Sequence, residues 1–237
     1  LQQGPFVHQQ GFPKPTKLLP DKICFSIVNI VPVFVYCYFA LVIPCYITVP
    51  FITFVCIHLY RGFFYAFKRS KHSSEWPINT FIFTLLQKTM IAVLSGAATA
   101  LYTEEYLFDF WIILESIILL AAFIIQVKVD FYLTKQRFVG PKGYRPLSGG
   151  LFDYVSCPNY LCEIIIWICW GLILELNFGV ISIWIWLIPT IYVRAANRHK
   201  WLCRNFKGKI PQKQTPIFPF INVSQVLYTL AGTLEYA

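Results

Sequence analysis

Charge is what this chain lacks. Asp, Glu, Lys and Arg together make up 13% of its 237 residues, about half the share of a soluble domain. Between Ile23 and Tyr60 there are 38 residues without one of them. So little polar surface excludes a typical soluble enzyme, and 57% apolar residues exclude a disordered chain. The eight cysteines, at 24, 37, 45, 56, 157, 162, 169 and 203, form no CxxC pair and have no His at zinc spacing. Most lie in apolar runs, where Cys behaves as a small hydrophobe, so neither a disulfide-stapled module nor a metal site is expected. There is also no GxGxxG phosphate loop and no nucleophile triad.

What the chain has instead is apolar length. A mean hydropathy of +0.58 and several runs of about 20 residues or more predict an all-α, polytopic integral membrane helical bundle of about six transmembrane helices. A polar arm (1–22) precedes a membrane domain (23–215) with spans at about 23–42, 45–60, 80–102, 107–127, 160–176 and 179–193. An apolar tail (216–237), broken by proline, follows. Leu1 in place of Met implies a processed form or a fragment.

The charges that remain are placed asymmetrically. The arm, 61–79, 128–160 and 194–215 carry 3, 4, 5 and 7 basic residues, which is 19 of the 20. The turns near Pro44, Glu104 and Glu175 carry none. An even number of crossings separates the basic segments, so all four share one face, and the positive-inside rule makes that face cytosolic. The net charge of +9 therefore reads as topology and anion attraction, and no nucleic-acid partner is expected. The twentieth basic residue, Lys88, lies near enough to that face to snorkel toward it. Glu115 is likewise an ionisable group inside an apolar run.

The richest segment, 126–163, combines Arg, Tyr, Asn and a Gly149-Gly150 pair at the head of a membrane helix. Two readings stay open on the residues alone. One is an interfacial loop whose tyrosines belong to the aromatic belt. The other is a site for a polyanion and a stacked base, with forked Arg contacts and amide recognition by Asn. Glu163 is either a helix-start carboxylate or part of such a cleft.

Order and spacing add a resemblance. Asp130, Arg137 seven residues on, Tyr144 seven further, Gly149-Gly150-Leu151-Phe152, then Asn159 four before Glu163 is similar to the C-terminal region of the steroid 5α-reductase family. That family includes the trans-2-enoyl-CoA reductases, whose branch Val155-Ser-Cys-Pro-Asn-Tyr160 resembles most. Arg194-Ala-Ala-Asn-Arg198-His199-Lys-Trp201 and Pro216-Ile-Phe-Pro-Phe220 resemble two further blocks, and Ile57-His58-Leu-Tyr60-Arg61 resembles a weaker one.

The resemblance implies a membrane reductase that uses NADPH to saturate a carbon–carbon double bond conjugated to a carbonyl in a lipid-like substrate. Gln126, Asp130, Arg137, Tyr144, Asn159, Arg194, Arg198 and His199 would hold the cofactor. Tyr160 matches the proposed proton donor, and the catalytic Tyr or Lys near residue 60 falls on His58, Tyr60 or Arg61, depending on register. Leu202 stands where the family has Tyr, Arg198 where it has His, and Gln126 where it has Asn. The upstream Glu of the steroid branch has no counterpart in 23–60. Relative to the family, about one N-terminal helix is missing and the chain continues past the usual end. Two functions follow: a reductase of a 2-enoyl-CoA or 3-oxo-4-ene steroid in the endoplasmic reticulum, or a degenerate accessory subunit among other subunits of a membrane complex, for example in the mitochondrial inner membrane.

Overall fold

The computed structural model describes residues 18–42, 49–68, 76–100, 109–136, 147–206, 210–211 and 214–218. Among the described residues, the protein is a polytopic bundle of six long helices. They are α1 (Asp21–Val42), α2 (Val49–Leu59, continuing through a π-helical turn Tyr60–Tyr65 into a short α3, Ala66–Lys68), α4 (Ile78–Ala100), α5 (Phe110–Gln136), α6 (Pro158–Ile173) and α7 (Phe178–Asn205). Among the described residues, five segments are long and apolar enough to cross a membrane: Asp21–Phe39, Val49–Lys68, Ile78–Ala100, Phe110–Lys135 and Phe178–Asn205. At 1.5 Å per residue α6 reaches only about 24 Å, short of a ~30 Å hydrocarbon core. It runs through the main apolar core instead, with Ile164, Ile166, Trp170 and Ile173 almost fully buried.

Local sequence explains the helix limits. Pro158 opens α6, where its missing N–H costs nothing. The Asn177 side chain caps α7 by accepting from the Val180 N–H. Between α6 and α7 the chain reverses in a tight turn with Glu175 and Leu176 at φ 55° and 52°. α1 carries Pro32 and α7 carries Pro189 inside the helix, as membrane helices tolerate. α7 runs on to Asn205, well beyond residue 193 where the apolar stretch stops, so its last turns carry Arg194, Arg198 and Arg204 on helix.

The basic ends of the helices meet. A two-residue antiparallel ribbon pairs Leu18 with Pro77 and Leu19 with Trp76, which brings the starts of α1 and α4 together. Lys22 donates to the Phe67 carbonyl from the start of α1 to the end of α3. The Lys68 ammonium lies 3.8 Å above the Phe131 ring near the end of α5. At the far end, Asn177 at the head of α7 donates to the Ala98 carbonyl at the tail of α4. The outward surface is large and apolar, with Phe178 81% exposed, as a lipid-facing surface requires. A strap, Gln214–Phe218, runs beside Tyr154–Cys157 at the basic end: Ser156 N–H donates to the Thr215 carbonyl and Thr215 N–H to that of Tyr154.

Candidate functional site

One cavity gathers charged side chains from five helical segments. Its wall includes Asn29 from α1, His58 and Arg61 from α2 and the turn after it, Lys88 from α4, Asp130 from α5, Asn159, Tyr160 and Glu163 from α6, and Arg194 from α7. Each lies within about three turns of its helix's basic end. Ile57, Val28, Ile91, Trp167 and Leu187 supply an apolar lining.

The π-helical turn sets the geometry on α2. An extra residue in the turn shifts the helix face, and the freed Gly62 carbonyl accepts from the Ser26 hydroxyl at 2.7 Å. His58 and Arg61, three residues apart, both face the cavity, while Tyr60 packs edge-on against Phe123 and is not on its wall. Of the three residues the sequence left open, His58 and Arg61 line the cavity and Tyr60 does not. His58 donates from Nδ1 to the Phe54 carbonyl at 2.9 Å and stacks on the Phe54 ring.

Arg61 makes the strongest polar contact. Its Nη1 and Nη2 reach the two Glu163 carboxylate oxygens at 2.6 and 2.8 Å, with the side chains 16% and 14% exposed. Such a forked pair fixes both groups. Glu163 thus belongs to the cleft, one helical turn after Asn159. Gln126, 1% exposed, donates to the Asn159 carbonyl at 3.5 Å, and Asp130, one turn further on α5, is 3% exposed on the cavity wall.

Lys88 corrects the snorkelling reading. Its ammonium turns inward and donates to the Asn29 Oδ1 at 2.9 Å, and the Asn29 amide nitrogen donates to the Phe25 carbonyl at 2.6 Å. The sequence reasoning passed over Asn29 and Thr84, which also line the space. The available signal was a lone amide in the uncharged 38-residue run, and a Thr and Lys four apart on one helix face.

Three predicted cofactor residues, Gln126, Arg198 and His199, are not on the cavity wall. Arg198 is one turn beyond Arg194 on α7. His199 Nδ1 is 2.5 Å from the Ser156 hydroxyl, which donates onward to the Gln214 Oε1 at 3.0 Å. That order makes His199 the Nδ1–H donor, and its Nε2 lies 3.5 Å from the Cys203 sulfur. Gln214 in turn donates to the Phe152 carbonyl. His199 thus ties α7 to the strap. Arg137 and Tyr144 lie outside the described residues. Among the described residues no group of three or more His, Cys, Asp or Glu is placed to hold a metal ion.

A family model described as 3-oxo-5-alpha-steroid 4-dehydrogenase matches residues 71–222, more than half of the chain. The chain belongs to that family. The 3-oxo-5-alpha-steroid 4-dehydrogenase match covers α4 to α7 and the strap, and with them Lys88, Asp130, Asn159, Tyr160, Glu163 and Arg194. Several relatives are named steroid 5-alpha-reductase or 3-oxo-5-alpha-steroid 4-dehydrogenase 1. Steroid 5-alpha-reductase DET2 of Solanum lycopersicum is 37% identical over 79 residues, 33% of this chain and 30% of its own length. The Arabidopsis thaliana protein of the same name is 26% identical over 137 residues, 54% and 52% of the two chains. The 3-oxo-5-alpha-steroid 4-dehydrogenase 1 of Mus musculus is 26% identical over 149 residues, 60% and 58%. The chain spans about half the length of the curated relatives it matches.

Proposed function

We propose that this protein reduces a carbon–carbon double bond conjugated to a carbonyl in a steroid-like lipid, with NADPH as the reductant. The observation that carries the reading is the cavity at the basic end. It joins Asp130, Asn159 and Arg194, from three helices, to Arg61, His58, Lys88 and Tyr160 beside an apolar wall. Family membership and the steroid named in the relatives' descriptions support the substrate class.

The donor set fits a dinucleotide phosphate. Arg194, with Arg198 one turn on, offers cations for phosphate, Asp130 offers a carboxylate for ribose hydroxyls, and Asn159 offers an amide for a carboxamide. Arg137 and Tyr144 complete the set by sequence. When bound, the nicotinamide supplies a hydride. This chain's own residues supply the rest. The apolar lining holds the lipid and excludes water. The Arg61–Glu163 fork holds α2 against α6 at the point where Tyr160 enters the cavity. Tyr160 is the proton donor of this reading, with its phenol among cations that stabilise the developing anion.

The test is oxidation of NADPH by the purified full chain in lipid nanodiscs, supplied with a 3-oxo-4-ene steroid and, separately, a 2-enoyl-CoA. Consumption of NADPH matched by saturated steroid is expected. Consumption with the thioester alone would move the substrate to the enoyl-CoA class, which Tyr160 at the cavity also suits. No turnover with either, together with co-purification in a stable assembly, would replace the enzyme by the accessory subunit.

A further inference from the structure

Lys88 is a cation with donors to spare. An ammonium carries three N–H groups, and among the described residues its one hydrogen-bond partner is the Asn29 oxygen. That oxygen is held toward Lys88 because the Asn29 nitrogen is engaged by the Phe25 carbonyl. Of the two carboxylates on the same cavity wall, Glu163 is occupied at both oxygens by Arg61, and Asp130 stands on α5. Lys88 is therefore kept in place by a neutral group, which leaves its charge uncancelled at close range.

A second, independent feature stands one helical turn away. Thr84 lines the same cavity, is 3% exposed, and its hydroxyl has no hydrogen-bond partner among the described residues. A buried hydroxyl without a partner costs about 1–3 kcal/mol, a cost that a ligand atom placed there removes. Thr84 and Lys88 share one face of α4 at i and i+4, and the flanking wall is Val28 and Ile91. An acceptor oxygen on an otherwise apolar molecule satisfies this constellation. The groups suited to a nucleotide stand on α5, α6 and α7.

We propose that Lys88 binds and polarises the carbonyl oxygen of the enone, with the Thr84 hydroxyl as second partner and Asn29 as the positioning residue that holds the ammonium. The proposal rests on the reductase reading and deepens it. Reduction at the β-carbon drives the double-bond pair through the α-carbon onto the carbonyl oxygen. The negative charge that develops there is stabilised by the Lys88 ammonium, which forms no covalent bond. When the α-carbon takes up a proton the pair returns and the carbonyl re-forms. The balance is enone, NADPH and a proton giving saturated ketone and NADP+.

The experiment uses the full chain in nanodiscs with testosterone as the 3-oxo-4-ene probe. Two readouts are taken: the ultraviolet absorption of the bound enone without cofactor, and steady-state NADPH oxidation. Polarisation by a cation shifts the enone band to longer wavelength, so wild type is expected to show a red shift. Lys88→Met, similar in volume, abolishes the shift and lowers turnover about 100-fold, while Lys88→Arg keeps the shift. Asn29→Asp ties the ammonium into an ion pair and weakens the shift without lowering the melting temperature, an effect that a merely structural Asn29 does not produce. Thr84→Val retains a reduced shift. A wild-type shift that survives in Lys88→Met, or wild-type turnover without any shift, overturns the proposal. A Lys88-dependent shift without NADPH oxidation supports the carbonyl site and ends the reductase reading. A wild-type protein with neither shift nor turnover ends both.

Discussion

The two ends of the bundle use polar groups in opposite ways. At the end away from the basic face, among the described residues, polar groups tie helix to helix, with the buried Ser95 and Ser116 hydroxyls as exceptions that have no partner. Thr99 donates to the Ser95 carbonyl, which leaves its oxygen to accept from the Tyr36 hydroxyl at 2.5 Å. Asn177 bridges α4 and α7, and the Trp170 indole donates to the Pro50 carbonyl. Small residues let the backbones close up there. A Cβ on Gly171 would stand 2.5 Å from Val180 Cγ1 and 2.6 Å from the Trp184 ring, and one on Gly96 would run into the Phe39 ring. This is how membrane helices associate when lipid offers no hydrophobic drive between them: by close packing and satisfied hydrogen bonds. At the basic end the same helices diverge around a space lined by Arg61, Lys88, Arg194, Glu163 and Asp130. One end holds the bundle shut, so the other can stay open and charged.

The largest effect that tests this contrast falls on the largely buried Arg61–Glu163 fork. Arg61→Ala leaves the Glu163 carboxylate without its partner and is expected to cost about 3–5 kcal/mol, read by denaturant melts in detergent. The double variant Arg61→Met/Glu163→Leu recovers most of that stability and none of the activity. Full activity in the double variant would reduce the fork to packing. At the closed end, Gly171→Ala is expected to cost about 1–3 kcal/mol through overpacking while ligand binding in the cavity stays unchanged. Asn177→Ala loses the cap on α7 and the bridge to Ala98, an expected loss of about 1–2 kcal/mol. A change in enone or NADPH binding in either variant would show that the two ends are coupled.

The sequence carries the outline of this arrangement, because each step of the outline is local or periodic. The uncharged 38-residue run announces two membrane helices, and the 130–163 spacing identifies residues that the cavity brings together at Asp130, Asn159 and Glu163. What depends on helix rotation is not legible. Whether Lys88 snorkels outward or turns inward is decided by Asn29, which is 59 residues away in the chain. Which of His58, Tyr60 and Arg61 line the cavity depends on the rotation of α2 and the π-helical turn after it, and no propensity in Tyr60–Tyr65 signals the extra residue. His199 falls in a cofactor-like block by motif. It is drawn to the Ser156 hydroxyl because Gln214 on the returning strap completes the chain of donors.

The smallest predicted effect probes the junction between strap and cavity. Cys157 sits immediately before the helix that carries Asn159 and Tyr160, and its N–H donates to the Pro216 carbonyl of the strap. It is 1% exposed. Burial pushes its thiol from 9.0 up to about 11, with the Arg198 charge opposing only in part. The neutral thiol is thus favoured by folding, so its contribution is constant below pH 9 and stability falls as pH rises from 9 toward 11. Thiolate is the reactive form, and iodoacetamide at pH 8 should leave Cys157 untouched while it alkylates the exposed Cys203, as peptide mass spectrometry would read. Removing the strap's anchor with Gln214→Ala should raise Cys157 labelling, because the Ser156–Gln214 bond closes the same turn of chain. Equal labelling of Cys157 and Cys203 in the unaltered protein would mean that the basic end opens from the strap side as well as through the cavity, and the contrast between a closed end and an open one would then lie in the strap.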